Sequence, residues 1–137
     1  MSTAKVSYEN PPGLPPAQGM YSQLGVIRGG ATYMVAGQLA VGDQGEVVGV
    51  RDFDAQFARV FKNLGDVLHA AGGDYVSIAK MTTFLVHSQD IARFMQLRAA
   101  LFPQIFPGGV YPPNTLLIVD RLVKEEFLLE VEAVAAI

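Results

Sequence analysis

The segment Phe127-Leu128-Leu129-Glu130-Val131-Glu132-Ala133-Val134-Ala135 decides the fold, because it predicts a strand of a buried sheet. Alternate side chains of a strand point to opposite faces of the sheet. One face of this strand is wholly apolar and consists of Phe127, Leu129, Val131 and Ala133. The other face places Glu130 and Glu132 beside Leu128 and Val134. Two carboxylates therefore share one face with apolar neighbours.

Two interpretations of this acidic face stay open. Either the carboxylates lie on the solvent face of an antiparallel strand, or they work in a cleft. A carboxylate among apolar neighbours is costly unless it has a partner or water. Desolvation raises the pKa of such a carboxyl group toward working pH, which suits a general acid or base. Glu130 is therefore a candidate catalytic residue.

The composition predicts one domain over residues 1–137 and argues against nucleic-acid binding. The chain is 50% hydrophobic and 17% charged, which is enough apolar material for a core. The formal net charge is −3 and the basic residues are scattered, whereas nucleic-acid binding needs a basic face. No stretch has the length and apolarity of a membrane span, and the first residues lack a hydrophobic signal region. We therefore expect a cytoplasmic protein.

The chain has no cysteine, which excludes disulfides, thiol nucleophiles and thiolate metal sites. His69 and His87 are the only imidazoles, and nothing surrounds them at metal-ligand spacing. We expect His69 in the last turn of a helix and His87 on a surface turn. The sequence therefore predicts no metal site.

Residues 1–18 are predicted to form an extended lead-in, because prolines and glycines interrupt residues 9–19. Strands are predicted over residues 21–28 and 32–38, and Gly29-Gly30 between them predicts a hairpin. Apolar residues at a 3.6-residue period predict a helix over residues 54–71, ended by Gly72-Gly73.

A strand over residues 76–87 and a helix over residues 91–102 follow, and Pro103 is expected to close the helix. This second helix is expected to bury Phe94 and Met95. Strands over residues 115–122 and 127–135 complete the order β-β-α-β-α-β-β. Two helices cover only one face of such a sheet, and residues 115–119 are nearly all apolar. The other face is therefore expected to pack against further subunits.

The chain resembles the RidA/YjgF family, which carries the labels endoribonuclease L-PSP and reactive intermediate deaminase. The resemblance runs in order from about residue 18 to the end. Its landmarks are Gly19-Met20-Tyr21-Ser22-Gln23, Val35-Ala36-Gly37-Gln38, Gly45-Glu46, Ala55-Gln56, Asn63-Leu64, Ala70-Ala71-Gly72, Lys80-Met81-Thr82-Thr83-Phe84-Leu85, Tyr111-Pro112-Pro113, Asp120-Arg121-Leu122 and Glu130-Val131-Glu132-Ala133-Val134-Ala135.

The resemblance implies an α+β, chorismate-mutase-like fold and a homotrimer whose sheets face inward, with ligand pockets between subunits. Well-known members hydrolyse 2-imino or enamine acids to 2-keto acids and ammonia without a cofactor. It also implies that Glu130 positions water and that Tyr21 closes the pocket. The match at Glu130 assumes one inserted residue in the turn near Lys124-Glu125.

The family's arginine, which grips the substrate carboxylate, is replaced here. Its motif Pro-Ala-Arg-Ser reads Pro112-Pro113-Asn114-Thr115, so the arginine position is Asn114. A neutral amide does not replace a guanidinium in a bidentate carboxylate pair. Ala36 replaces a serine next to Gly37, Leu116 replaces a small residue, and Met95 replaces an asparagine. A less polar pocket and a substrate without the usual carboxylate are therefore expected.

Three functions follow, in order of preference. The first is a hydrolase or deaminase that acts on a small imine, enamine or related carbonyl compound, with Glu130 and Tyr21 as catalytic residues. In it, Asn114, Gly37, Ala36, Leu116 and Met95 bind the substrate. The second is a trimer that binds a small metabolite without chemistry. The third, ribonuclease, lacks the basic surface that RNA requires. Arg121 is expected to pair with Asp120 or Glu126, and the sequence leaves open whether Arg28 or Arg98 reaches the pocket from a neighbouring subunit.

Overall fold

The final strand lies inside a four-stranded sheet in a computed structural model that describes residues 5–137. The strands are β1 (Val6–Glu9), β2 (Leu24–Ile27), β3 (Thr32–Gln38), β4 (Ile78–Leu85), β5 (Asn114–Ile118) and β6 (Leu129–Ala136). The helices are α1 (Phe53–Ala70) and α2 (Ile91–Ile105), and short 3₁₀ turns precede β4 and α2. The order in the sheet is β3-β6-β4-β5, and β1 and β2 form a separate two-stranded sheet. The α+β prediction is confirmed.

The register of β6 determines which side chains are buried. Leu129, Val131, Ala133 and Ala135 are buried against the helices, as the alternation of the sequence predicts. Helix α1 packs on β6 and β3. Its aromatic rings reach α2, since Phe57 and Phe94 meet edge to face at 5.5 Å between ring centroids and Phe61 and Phe102 at 5.8 Å. This aromatic layer holds the two helices on one face of the sheet.

The opposite face of the sheet stays uncovered within the chain. Met34 of β3 is 77% exposed, and Leu117 of β5 is also exposed. Glu132 of β6 lies on the same face, opposite Thr82 of β4. We call this surface the open face. The expectation that further subunits cover it stays a prediction.

The predicted hairpin around Gly29-Gly30 is wrong. Strand β2 pairs with β1, whereas β3 pairs with β6. Gly29 and Gly30 both have positive φ values, of 88° and 77°, so the sequence signal for a sharp turn was real. The turn passes the chain from one sheet to the other, because the Arg28 N–H donates to the Lys5 carbonyl and the Ala31 N–H donates to the Ile137 carbonyl.

Other boundaries also differ from the predictions. Strand β5 ends at Ile118 rather than at residue 122, and β2 begins at Leu24 rather than at residue 21. The lead-in contains β1, a strand too short to show a convincing alternation. Helix α2 continues past Pro103 to Ile105. A proline there removes only a hydrogen bond near the end of the helix. Phe102 and Phe106 are buried and meet edge to face at 5.2 Å, which stabilises the last turn. Among residues 5–137, neither helix has the length and apolarity needed to cross a membrane.

Gln56 joins α1 to the start of β6. Its side chain is fully buried. Its Nε2 donates to the Gly49 carbonyl at 3.0 Å and to the Glu126 carbonyl at 2.8 Å. Its Oε1 accepts from the Leu128 N–H at 2.8 Å. Because every polar atom of the amide is used, Gln56 fixes the backbone just before Glu130.

We expect Gln56→Ala to destabilise the fold by about 3 kcal/mol, because it leaves buried backbone groups unpaired and opens a cavity. Urea unfolding at constant protein concentration measures this loss. Gln44→Ala is the matched control, since Gln44 is exposed in a turn and should change stability by less than about 0.5 kcal/mol. Equal stability of the two variants would contradict the anchoring role of Gln56.

Candidate functional site

Glu130 lines a cavity at one end of the open face. The cavity has a volume of about 260 Å³. Its wall consists of Gly37, Phe84, Val119, Arg121, Leu122, Glu130 and Glu132. Glu130 is half-buried, and Glu132, two residues along the same strand, is exposed. Both glutamates line the same cavity because side chains two residues apart on β6 point to the same face.

Gly37 allows the Glu130 carboxylate to lie against β3. The pairing of β3 with β6 shifts between Val35 and Gln38, which marks a bulge at this point. A Cβ atom built on Gly37 would overlap the Oε1 atom of Glu130. Glycine is therefore needed here for space.

The pKa of Glu130 is raised above its ordinary value, first by burial and then by the negative charge of Glu132. None of the hydrogen bonds within residues 5–137 involves its carboxylate. The oxygens of Glu130 are thus free to accept a proton from water in the cavity. A carboxyl group with a raised pKa is a stronger base than an exposed one, which suits proton transfer near neutral pH.

Tyr21 lies in a second cavity, of about 300 Å³. This cavity is lined by Asn10, Gly19, Met20, Tyr21, Ser22, Gly109, Val110 and Tyr111. The Tyr21 hydroxyl accepts a hydrogen bond of 3.0 Å from the Gln18 N–H. Neither Glu130 nor Gly37 lines this cavity. Within one chain, the two predicted catalytic residues lie in different cavities.

Asn114 and Leu116 lie on the helix-facing side of β5. Asn114 pairs with Met81 and Leu116 with Thr83, and both partners are buried toward the helices. The Asn114 Oδ1 accepts a hydrogen bond of 2.9 Å from the Thr83 hydroxyl. Leu116 is partly buried and packs against the hydrophobic core. In one chain these two residues therefore face away from Glu130.

The remaining predicted binding residues, Ala36 and Met95, line neither of the two cavities. Ala36 is exposed beside Gly37, and its carbonyl accepts from Gln38 Nε2 at 3.0 Å. Met95 was expected to be buried, but it is 38% exposed. Its position on α2 turns it partly outward, because Phe94 takes the core position beside it. Its sulfur accepts a hydrogen bond of 2.9 Å from Nη2 of Arg98.

The arginines have different surroundings. Arg121 lines the Glu130 cavity and pairs with Glu125 at 3.3 Å. The expected pairing with Asp120 or Glu126 is wrong, because Glu125 lies four residues on and the chain turns back there. Arg28 pairs with Glu9 at 3.2 Å and belongs to the β1–β2 surface. Arg98 is buried, which the sequence analysis missed.

The helical repeat of α2 predicts that Arg98 is buried. It lies four residues after Phe94 and four before Phe102, and both of these phenylalanines are buried. Residues at this spacing share one face of a helix. Both histidines lie at the surface as expected, with His69 Nε2 at 3.1 Å from Asp74 Oδ1. Within residues 5–137, no three side chains of the metal-binding types cluster together.

The fold defines an α+β protein, and its relatives share this fold. A family model described as endoribonuclease L-PSP matches residues 13–137. The chain belongs to this family, which is also called RidA/YjgF. A Rid family protein of unknown function from Yersinia pestis, YyfB, has the same fold with a TM-score of 0.86 and 30% identity. That match covers 97% of this chain and 99% of the Yersinia chain.

Two curated relatives extend the comparison. A RutC family protein of Pyrococcus horikoshii is 32% identical over 118 residues, which cover 85% of this chain and 86% of the relative. The chloroplastic Reactive Intermediate Deaminase A of Arabidopsis thaliana is 32% identical over 95 residues, which cover 69% of this chain and 49% of that protein. The family resemblance seen in the sequence is confirmed.

We expect Glu132→Gln to lower the pKa of Glu130, because it removes the neighbouring negative charge. Carboxyl ¹³C titration by NMR measures this pKa. A raised pKa means that the folded protein holds this proton more tightly than the unfolded chain does. Ionisation of Glu130 therefore reduces stability as the pH rises through its folded pKa.

Glu130→Gln should accordingly raise the unfolding temperature at pH 7 relative to the parent protein, and this gain should shrink on acidification below the ordinary glutamate pKa. The control variant is Glu46→Gln, which changes an exposed glutamate outside the cavity. A Glu130 pKa at or below that of glutamate in an unfolded peptide would contradict the raised value.

Proposed function

We propose that the protein hydrolyses a small imine, enamine or related carbonyl-derived metabolite and releases ammonia and a carbonyl compound. The observation that carries the proposal is the Glu130 carboxylate, half-buried in a small cavity and held against Gly37. Family membership supports a RidA-like activity of this kind. The family's label as an endoribonuclease gains no support from the composition, since the net charge is −3.

Hydrolysis at Glu130 requires only proton transfers and one water molecule. The ionised carboxylate accepts a proton from water, and the water oxygen bonds to the carbon of the C=N group. Glu130 passes this proton to the nitrogen, which gives a tetrahedral carbinolamine. The carboxylate then takes the hydroxyl proton of the carbinolamine and passes it to the nitrogen, the C–N bond breaks, and ammonia leaves while the carbonyl group forms. An enamine enters the same route after protonation at carbon, and no cofactor is needed.

The complete site is proposed to lie between subunits of a homotrimer. Two observations support this arrangement. Tyr21 and Glu130 lie in separate cavities of one chain, so one subunit alone does not assemble the predicted site. The open face also exposes Met34 and Leu117, which a neighbouring copy would cover. Tyr21 of one copy would then close the Glu130 cavity of another and pass a proton to the substrate.

Asn114 supports an altered substrate specificity. Its amide oxygen already accepts from Thr83, and its side chain carries no charge. A carboxylate bound here would lack the bidentate partner that an arginine supplies. The usual substrate of the family is therefore expected to bind differently in this protein.

We expect Glu130→Gln to reduce imine hydrolysis by at least about a hundredfold, which is the usual loss when a general base is removed. The assay generates imines in situ with an amino-acid oxidase or lyase and follows ammonia release. The control is Glu46→Gln, which changes an exposed glutamate outside the cavity and should keep the parent rate. Turnover by Glu130→Gln at the parent rate would overturn the mechanism.

We expect Met34→Glu to dissociate the assembly, because it places a charge on the apolar part of the open face. Sedimentation velocity should show the mass of a trimer for the parent protein and of a monomer for the variant. Val67→Glu is the matched control, since Val67 is exposed on the outer side of α1 and should leave the assembly intact. A monomeric parent protein would refute the subunit-interface site.

A further inference from the structure

Arg98 is a buried guanidinium without an anionic partner. The residue is only 4% exposed. No salt bridge among residues 5–137 includes it, and the four preceding residues, Met1 to Ala4, have no carboxylate side chain. In the described part of the chain, its Nε atom is buried and has no hydrogen-bond partner. Burying an unpaired charge is costly, so a compensating group is expected.

The contacts around Arg98 compensate only part of this cost. Its guanidinium carbon lies 5.7 Å from the centre of the Phe94 ring and 5.9 Å from that of Phe102. Such cation–π contacts favour the charged form but satisfy no N–H group. The Nη2 atom donates to the sulfur of Met95, which is a weak acceptor. Burial lowers the pKa of Arg98, and the nearby Tyr21 opposes this shift.

One edge of the guanidinium is therefore available. Nε and Nη2 lie on the same edge, and a carboxylate binds this edge with both oxygens in a bidentate pair. In Arg98, Nε lacks an acceptor, and Nη2 has only the thioether. A carboxylate at this edge would satisfy the orphaned N–H and replace a weak acceptor by a strong one.

The edge lies next to the Tyr21 cavity. A Cβ atom built on Gly19 would lie 2.8 Å from Nη2 of Arg98, and Gly19 is part of the wall of that cavity. Because Gly19 has no side chain, the guanidinium packs directly against its backbone at the wall of the cavity. A volume of about 300 Å³ fits an acid of a few carbon atoms.

We propose that Arg98 binds the carboxylate of a small organic acid in the Tyr21 cavity, and that this residue supplies the guanidinium that is missing at Asn114. This inference rests on the proposed function as far as the acid is a substrate or product. It revises the expectation from the sequence that the substrate lacks a carboxylate. The anion-binding group has changed its position in the chain, from the start of β5 to the buried face of α2.

The test compares a charged and a neutral ligand of equal shape. Isothermal titration calorimetry is carried out on the parent protein with sodium 2-oxobutanoate and with 2-oxobutanamide. We expect the acid to bind roughly ten- to a hundredfold tighter than the amide, as a charge-assisted pair implies. Equal affinity of the parent protein for the two ligands would overturn the proposal by itself.

Two variants assign the preference to Arg98. Arg98→Met keeps a long apolar side chain between the phenylalanines and should remove the preference for the acid. Gly19→Ala should weaken binding of the acid, because the new methyl group displaces the end of the Arg98 side chain. Arg93→Met is the control, since it removes one positive charge from the exposed side of the same helix. An unchanged preference in Arg98→Met, or in Gly19→Ala when Arg98→Met does not fold, contradicts the proposal.

Two further measurements separate this proposal from its alternatives. If a carboxylate of a second copy neutralises Arg98, the parent protein will bind both ligands equally and Arg98→Met will dissociate in sedimentation, which refutes a ligand site. Glu130→Gln should retain the preference for the acid while turnover is lost. Turnover by Glu130→Gln at the parent rate would refute the proposed hydrolysis and leave the Arg98 site standing. An unchanged acid preference in Arg98→Met would refute the Arg98 site and leave the hydrolysis untouched.

Discussion

Strand β6 pairs with a neighbour along both of its edges, and this double pairing fixes the rest of the structure. Its register with β3 and β4 directs Leu129 and Val131 into the core. The same register directs Glu130 and Glu132 to the open face, because side chains alternate along a strand. A slip by one residue would bury both carboxylates under α1 and expose the core leucine and valine. Gln56 opposes such a slip by holding the Leu128 N–H.

Much of the fold could be predicted from local patterns. The helical period of α1, the β-branched and aromatic residues of β3 and the alternation of β6 each predict the element that forms. Pairing between distant segments could not be predicted in the same way. Gly29-Gly30 has the composition of a hairpin turn, but only tertiary contacts decide that β3 joins β6 while β2 joins β1. The prediction that Pro103 closes α2 was wrong for a similar reason, since the packing of Phe106 outweighs the lost hydrogen bond.

The sequence predicts which residue types form the candidate site, but only in part which of these residues lie together in the fold. Glu130, Glu132 and Gly37 do meet, because β3 and β6 are neighbours. Asn114 and Leu116 fall on the opposite side of the sheet, a consequence of the register of β5 that the sequence does not reveal. Arg98 and Glu130 share one property: each is an ionisable group for which burial opposes the charge. Groups held in such surroundings reduce stability and are typical of functional sites.

The bulge between Val35 and Gln38 also affects how the protein behaves in a crowded solution. Strand β3 is an edge of the sheet, and a regular edge strand offers free N–H and C=O groups to any other chain. A bulge twists the strand and interrupts the regular spacing of these groups. The irregularity that brings Gly37 against Glu130 therefore also makes this edge a poor template for β-aggregation. Straightening β3 by removing one residue would endanger solubility as well as the contact between Gly37 and Glu130.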